Sequence, residues 1–147
     1  KLKSLNDDQL RKVFSQNDVM FVRLIRDYRR CIASNIINDY HSFYNLKKTN
    51  ERDDLENFKK WYKDDLLWCA KWQNNFPDKL YFFDESGDII KFLCDDLNVF
   101  LTENQKQLVS KAFFNRVKTT IDSESYLDLL ESAECQDIAD IIKKIIS

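Results

Sequence analysis

A chain of 147 residues, of which 44% are hydrophobic and 14% aromatic, is long enough to bury the core of one domain. One glycine and one proline argue against a fold built on β-hairpins, whose turns use glycine, and a net charge of −2 argues against general polyanion binding. We therefore expect an all-α fold and, since no apolar run approaches the roughly 20 residues that span a bilayer, no membrane contact.

The strongest pattern lies in the stretch Asn17–Asp39, after a short predicted helix over Leu5–Ser15. At about 100° per residue, its apolar side chains share one broad face: Phe21, Leu24, Ile25, Tyr28, Cys31, Ile32 and Ile36. Asp18 is suited to cap such a helix, because its carboxylate can accept a first-turn N–H. The pattern predicts one long helix that packs against several partner helices.

Four of the seven arginines lie between positions 23 and 30. On the predicted helix Arg23, Arg26 and Arg30 share the face opposite the apolar one, with Arg29 at its edge. We interpret these four as the candidate residues for binding a partner or RNA, against the alternative of a merely solvated face. Five residues are candidates for secondary contacts with the same ligand: Arg11, Lys12, Trp61, Trp68 and Trp72. Packing inside the helical bundle is the alternative for the three tryptophans.

The rest of the chain also reads as helices with short polar connections. We predict helices over residues 39–46, 50–73, 78–84, 88–101, 102–120, 123–133 and 136–146. Capping residues support several of these boundaries: Ser4 with Asp7, Asn50, Asp88, Thr102 with Gln105, and Asp122 or Ser123. The expected fold is one compact bundle of about eight or nine helices over residues 1–147, with submodules at 18–97 and 98–147.

The sequence carries no motif for catalysis, a cofactor or a metal. The four cysteines are widely spaced among apolar neighbours and form no CxxC pair, so we expect reduced, buried thiols in a cytosolic or nuclear protein. One histidine, His41, without paired ligands gives no zinc site, and we expect it to be structural. There is no glycine-rich phosphate loop and no GxSxG. We predict that this chain is not an enzyme.

Two stretches resemble the death-fold superfamily, and in particular caspase-recruitment-like domains. FVRLIRDYRRCIASNIINDYHSFYNL is similar to the first two helices of such a domain, and FPDKLYFFDESGDIIKFLCDDL to the last two. QKQLVSKAFFNRVKTTIDSESYLDLLESAECQDIADII resembles the opening of a second module. Alternatively, SESYLDLLESAECQDIADIIKKI closes one module that begins near Asp53. Since the chain is too short for two six-helix modules, the resemblance implies a fused or remodelled bundle.

Such an order of modules resembles the N-terminal region of RIG-I-like and Dicer-related RNA helicases. The resemblance implies a cytoplasmic interaction and regulatory domain, with the nucleus as the alternative, at the N-terminus of an ATP-dependent RNA helicase of RNA silencing or innate antiviral signalling. The leading partner is a protein with an acidic surface; duplex RNA bound by the Arg face is second, and a viral Bcl-2-like modulator third. We expect Arg23→Glu with Arg26→Glu to abolish binding and leave folding intact.

Overall fold

The computed structural model describes residues 2–116 and 124–147. Within these residues the chain forms seven α-helices and one sheet of two strands. In chain order the elements are α1 (Asp7–Phe14), β1 (Phe21–Ile25), α2 (Tyr28–Ile37), α3 (Glu51–Asn75), β2 (Leu80–Asp84), α4 (Ile89–Lys91), α5 (Glu103–Arg116), α6 (Glu124–Ser132) and α7 (Gln136–Ile146). Short 3-10 turns lie at Leu2–Ser4 and Ser42–Tyr44, and a π-helical turn at Phe92–Asp96.

The two strands correct the prediction of an all-α fold. β1 lies parallel to β2, with Phe21 opposite Leu80 and Ile25 opposite Asp84. Scarce glycine argues against hairpins, but parallel strands are joined by a long crossover that needs no tight turn. Because α2 and α3 form this crossover, a chain with one glycine can still contain a sheet. The mostly helical character is confirmed, with seven α-helices in the described residues where eight or nine were expected.

The single helix predicted over Asn17–Asp39 is wrong for the first half of that stretch. The chain is extended as β1, and α2 begins only at Tyr28. The helix is capped by Asp27, whose Oδ1 accepts a hydrogen bond from the backbone N of Arg29 at 3.0 Å. Asp18 is therefore not the cap. β-Branched and aromatic residues before Arg26 favour a strand once another strand is available for pairing.

This strand changes which side chains of the segment face inward. Side chains alternate along a strand, so Phe21, Arg23 and Ile25 lie on one face and Val22 and Leu24 on the other. Ile25 is buried, whereas Leu24 is only half-buried and Val22 is exposed. Of the residues expected on the apolar face, Ile25 is thus buried whereas Leu24 is not, and the arginines do not form a helical stripe.

Two helices predicted in the second half are also corrected. The stretch Asp78–Asp84 contains the strand β2 instead of a short helix, in keeping with its run of aromatic residues. The helix predicted over residues 88–101 is shorter and ends with the π-helical turn Phe92–Asp96. Its predicted start is confirmed, because Asp88 Oδ1 accepts hydrogen bonds from the backbone N of Ile90 and of Lys91.

The long helix α3 and the last helix α7 are confirmed close to their predicted bounds. Asn50 caps α3, since its Oδ1 accepts a hydrogen bond from Asp53 N at 2.9 Å. Thr102 and Gln105 form the predicted capping box of α5, with reciprocal hydrogen bonds of 2.9 and 3.2 Å. Local sequence therefore defines these helix starts without help from tertiary packing.

Two other predicted helix boundaries have different outcomes. α1 is capped by Asn6, whose side chain accepts from Gln9 N while the Gln9 side chain accepts from Asn6 N, and not by Ser4 with Asp7. The predicted end of the 102–120 helix and the predicted caps Asp122 and Ser123 lie outside the described residues.

One main core forms where α2, α3, α6 and α7 pack together. Its fully buried residues are Ile32, Ala33, Phe58, Leu66, Ala133 and Ile138. A smaller aromatic cluster joins α1 to the end of α3 and to β2, through Leu10, Phe14, Trp72 and Leu80. Since α3 runs through both clusters, it is the rigid element on which β1 and α2 are positioned.

Candidate functional site

A cleft of about 360 Å³ lies where β1 and α2 meet the middle of α3. Three clustered arginines and four tyrosines line it: Arg23, Arg26, Arg30, Tyr40, Tyr44, Tyr62 and Tyr126. We call it the Arg–Tyr cleft after these seven residues. Its other walls come from Leu24, Cys31, Ser34, Asn35 and Trp61. The cleft therefore combines positive charge with aromatic rings in one concave site.

Arg23 is held in the cleft by two polar contacts of its guanidinium group. Nη2 lies 2.8 Å from Oδ2 of Asp65 on α3, and Nη1 donates a hydrogen bond to the Leu24 carbonyl at 2.9 Å. Lys3 forms an ion pair with the same Asp65 carboxylate. Burial lowers the pKa of Arg23, but Asp65 more than offsets this, so the pKa lies above its ordinary value. Arg23 Nε is buried and has no hydrogen-bond partner in the described part of the chain.

Tyr62 contributes a second buried polar atom without a partner. Its side chain is 2% exposed, and its hydroxyl makes no hydrogen bond with any residue that the structure describes. The guanidinium carbon of Arg23 lies 5.8 Å from the centre of the Tyr62 ring. Burial raises the pKa of Tyr62, so the hydroxyl keeps its proton at neutral pH and can donate it to an acceptor.

The other two arginines of the cleft differ in their pairing. Arg26 Nε lies 3.1 Å from Oε2 of Glu85, the residue that follows β2. Glu85 also accepts a hydrogen bond from the backbone N of Asp27 at 3.3 Å. Arg30 is half-buried and makes no hydrogen bond or ion pair within residues 2–116 and 124–147. Its guanidinium is therefore the least committed positive group in the cleft.

Arg29 is the one member of the predicted arginine set that lies outside the cleft. It makes two side-chain hydrogen bonds to Asp27, at 3.1 and 3.2 Å, and an ion pair with Glu134 at 3.3 Å. The hydrogen bonding of its guanidinium to the Asp27 carboxylate is the main reason why the pKa of Arg29 is raised. Arg29 thus links the start of α2 to the loop after α6.

Aromatic rings form one wall of the cleft. The rings of Tyr44 and Trp61 have centres 4.1 Å apart at an angle of 48°, so they pack against each other, and both side chains are half-buried. Tyr40 is 48% exposed. Rings of this kind offer flat faces on which a planar ligand can stack.

Asn35 adds an amide to the lining. It is 8% exposed, and its side chain makes no hydrogen bond to any described residue. Its backbone carbonyl accepts from Tyr40 N at 3.0 Å, which fixes its position at the end of α2. Neighbouring Ser34 is already engaged, since its Oγ accepts from Asn38 Nδ2 at 3.1 Å. The Asn35 amide is therefore the free donor and acceptor of this wall.

The predicted secondary contacts are dispersed. Trp61 alone lines the cleft. Trp72 is fully buried in the second cluster and Trp68 packs against that cluster, so packing explains both. Arg11 lies over the Trp72 ring at 5.8 Å, on the outer side of α1, and Lys12 is exposed beside it. Neither basic residue lines the Arg–Tyr cleft.

His41 is buried at 3% exposure outside the cleft. Its Nδ1 lies 2.8 Å from Asp39 Oδ1 and its Nε2 lies 3.0 Å from Asp54 Oδ2, although the latter contact lacks the angle of a hydrogen bond. Asp54 Oδ1 also accepts hydrogen bonds from the backbone N and from Oγ1 of Thr49, both at 2.9 Å. This network joins the loop after α2 to the first turn of α3, which is a structural role.

All four cysteines are free, as predicted. Only Cys69 is buried, whereas Cys31, Cys94 and Cys135 are half-buried, which corrects the expectation of four buried thiols. Cys31 lines the Arg–Tyr cleft, and burial raises its pKa. Because the thiolate is the reactive form, Cys31 is a weak nucleophile at neutral pH.

The residues that the sequence prediction missed are the tyrosines and Asn35. Tyr62 is buried on α3, and nothing in the sequence spacing reveals that its hydroxyl has no partner among the described residues. Tyr40 and Tyr44 follow the arginines closely in sequence, and this short aromatic run is the one local signal for them. Tyr126 comes from α6, nearly a hundred residues after the arginines.

No protein-family model matches the chain, and no curated protein or solved structure shows significant similarity to it. Among the described residues, no helix combines the length and apolarity needed to cross a membrane. Within the same residues, no three His, Cys, Asp or Glu side chains are placed to hold a metal ion together. The Arg–Tyr cleft is therefore the feature from which a function can be inferred.

Proposed function

We propose that this chain is a recognition domain that binds an anionic group of its partner in the Arg–Tyr cleft. The observation that carries the proposal is the pair of unsatisfied donors, Tyr62 Oη and Arg23 Nε, both buried beside the cleft. A buried donor without a partner costs about 1–3 kcal/mol. An oxygen of a bound carboxylate or phosphate accepts such hydrogen bonds and removes that cost.

The charges around the cleft favour an anion over a neutral ligand. Arg23 and Arg26 are each paired with one carboxylate, from Asp65 and Glu85, whereas Arg30 is unpaired within the described chain. One full positive charge thus remains in the lining. Guanidinium groups present planar forks of N–H donors that fit carboxylate and phosphate oxygens.

A binding role is supported better than a catalytic one. The lining contains neither a histidine nor a carboxylate that could act as a general base. Cys31 is the nucleophilic side chain with the greatest intrinsic reactivity there, and its raised pKa keeps it protonated. Binding through charge and hydrogen bonds requires none of these groups.

The setting of the domain remains the one that the sequence predicts. We propose a helical interaction and regulatory module at the N-terminal part of a larger cytoplasmic protein in RNA silencing or innate antiviral signalling. The packing of α2, α3, α6 and α7 around one core supports a helical module of this type. The death-fold resemblance itself remains a prediction, and the two-stranded sheet is a feature beyond that pattern.

Nuclear magnetic resonance titration tests the anion site directly. Adding sodium phosphate or a glutamate-rich peptide should shift the Arg23 Nε–H signal and the amide signals of Ser34 and Asn35. Arg30→Gln should weaken this response by about tenfold or more, because a charged hydrogen bond is lost. Arg52→Gln, which removes an exposed arginine outside the cleft, should leave it unchanged. Absence of any shift at cleft residues with both anions would refute the proposal.

A further inference from the structure

The lining of the Arg–Tyr cleft is richer than an acidic side chain requires. A carboxylate is fully satisfied by guanidinium and hydroxyl donors such as those of Arg23, Arg30 and Tyr62. The aromatic rings of Tyr44 and Trp61, which also line the cleft, have no role in binding a carboxylate. These side chains do suit a planar nucleobase, because every base can stack on an aromatic ring.

The Asn35 amide is a second, independent feature that an acidic ligand does not explain. It is more than nine-tenths buried, lines the cleft, and makes no side-chain hydrogen bond to any described residue. An amide presents a donor and an acceptor side by side. The edges of nucleobases present the complementary pair, whereas a carboxylate or phosphate offers acceptors alone. The ligand that completes the site therefore carries both an anion and a polar planar ring.

We propose that the Arg–Tyr cleft binds one nucleotide, with its phosphate on Arg30, Arg23 Nε and Tyr62 Oη and its base against the accessible parts of the Tyr44 and Trp61 rings beside Asn35. The inference rests on the proposed function and deepens it by naming the chemical class of the anion. The nucleotide is either free or the unpaired terminal residue of a single strand, since both present the same groups.

Size and charge argue against duplex RNA as the occupant. A volume of about 360 Å³ lies near the lower end of small-molecule sites, which fits one nucleotide. In a duplex the bases are paired and stacked, so their faces cannot reach the aromatic wall. The net charge of −2 would also repel a long polyanion outside the cleft.

Calorimetric titration of the whole chain separates the alternatives. The probes are adenosine 5′-monophosphate, uridine 5′-monophosphate, ribose 5-phosphate, inorganic phosphate and a glutamate-rich peptide. The nucleotides should bind about tenfold or more tightly than ribose 5-phosphate, because the base adds stacking and the Asn35 contact. Tyr44→Ala and Asn35→Ala should remove that advantage without weakening ribose 5-phosphate. Arg30→Gln should weaken all anionic probes, whereas Arg52→Gln should weaken none.

The outcomes distinguish this inference from the proposed function. If phosphate, ribose 5-phosphate or the peptide binds as tightly as the nucleotides, the nucleotide inference is overturned while the anion site stands. If no probe binds, both are overturned. A single-stranded RNA with a 5′-phosphate then identifies the source of the nucleotide. If this RNA binds more tightly than the free nucleotide and the advantage is lost without the 5′-phosphate, the ligand is a strand end. If it binds equally or more weakly, the ligand is a free nucleotide.

Discussion

Arg23 Nη2 and Asp65 Oδ2 lie 2.8 Å apart where β1 packs on α3. Both side chains are largely shielded, with 28% and 13% of their surfaces exposed. Charged groups in such a position are costly to separate, because the remaining partner keeps its charge without its counter-ion. The pair therefore fixes the strand to the helix and holds Arg23 in its position in the Arg–Tyr cleft.

Asp65→Asn should lower the free energy of unfolding by about 2–3 kcal/mol, because it leaves Arg23 partly buried without its charge partner. Its neighbour Asp64 provides the control, since Asp64 is exposed and pairs with Lys60 across one helical turn. Asp64→Asn should cost less than about 0.5 kcal/mol. Urea denaturation at neutral pH measures both values, and equal losses in the two variants would contradict the structural role of Asp65.

Arg23→Glu should destabilise the fold by about 3 kcal/mol or more, because it places a second carboxylate beside Asp65. This changes the sequence-based expectation that Arg23→Glu with Arg26→Glu leaves folding intact, which assumed an outward helical position. Arg30→Glu should cost less than about 1 kcal/mol, as Arg30 has no partner in the described residues. Thermal unfolding of the two single variants would show the difference, and a stable Arg23→Glu variant would argue against the inward strand position.

Asp54 should make the fold sensitive to acid. Burial raises its pKa, but hydrogen bonds from Thr49 and the contact with His41 outweigh this and hold the pKa below its ordinary value. A lowered pKa contributes stability that is complete above the unfolded value of about 4 and is lost as the pH falls through the folded pKa. Asp54→Asn should therefore be less stable at neutral pH and lose less stability on acidification.

Urea midpoints measured between about pH 6 and pH 2 would test this expectation. Asp128→Asn is the control, since Asp128 is exposed and makes no hydrogen bond or ion pair with a described residue. Its pH profile should follow that of the wild type. A parallel profile for Asp54→Asn would show that Asp54 gains no stabilisation from its ionised form.

Cys69 should be the cysteine most resistant to alkylation in the folded chain. It is 5% exposed, and burial raises its pKa to about 11. Roughly one part in a thousand is thiolate at pH 8, and the thiolate is the form that reacts. Iodoacetamide labelling followed by peptide mass spectrometry should modify Cys94 well before Cys69, and both alike in denaturant. Equal native rates would mean that the α3 site opens easily.

Local signals predicted much of the helical part. The amphipathic pattern after Asn50 and the apolar repeat of α7 define two helices whose bounds the structure matches closely. The capping residues Asn50, Asp88 and Thr102 mark helix starts because each acts within three residues of its own position. Such contacts depend on sequence neighbours alone, so they are visible before the fold is known.

The sheet was not predictable in the same way. Phe21–Ile25 and Leu80–Asp84 each fit a short apolar helix as well as a strand, and only their pairing across the α2–α3 crossover decides between the two. In the predicted helix Arg23 lies on the outward face, whereas in the strand it lies on the inward face with Ile25. A low glycine content argues against β-hairpins, but it does not argue against a pair of parallel strands.

The candidate site was predicted in part. The arginine cluster indicates a positive surface, and three of its four members do line the cleft. The tyrosines and Asn35 arrive from α2, α3, α6 and the loop between α2 and α3, so their convergence is a tertiary property. The Tyr62 hydroxyl is buried without a hydrogen-bond partner among the described residues, and no sequence pattern records such a property.

The position of Arg23 has a consequence for aggregation. In β1, Phe21 N bonds to Lys79 O and Ile25 O accepts from Glu85 N, so alternate residues, including Leu24, direct their backbone groups away from β2. An outer strand edge of this kind is a template for another chain. On that edge the Arg23 guanidinium donates a hydrogen bond to the Leu24 carbonyl, and its bulk and charge oppose the approach of a further strand. The same arginine that contributes to the Arg–Tyr cleft thus also hinders the addition of another strand to this edge of the sheet.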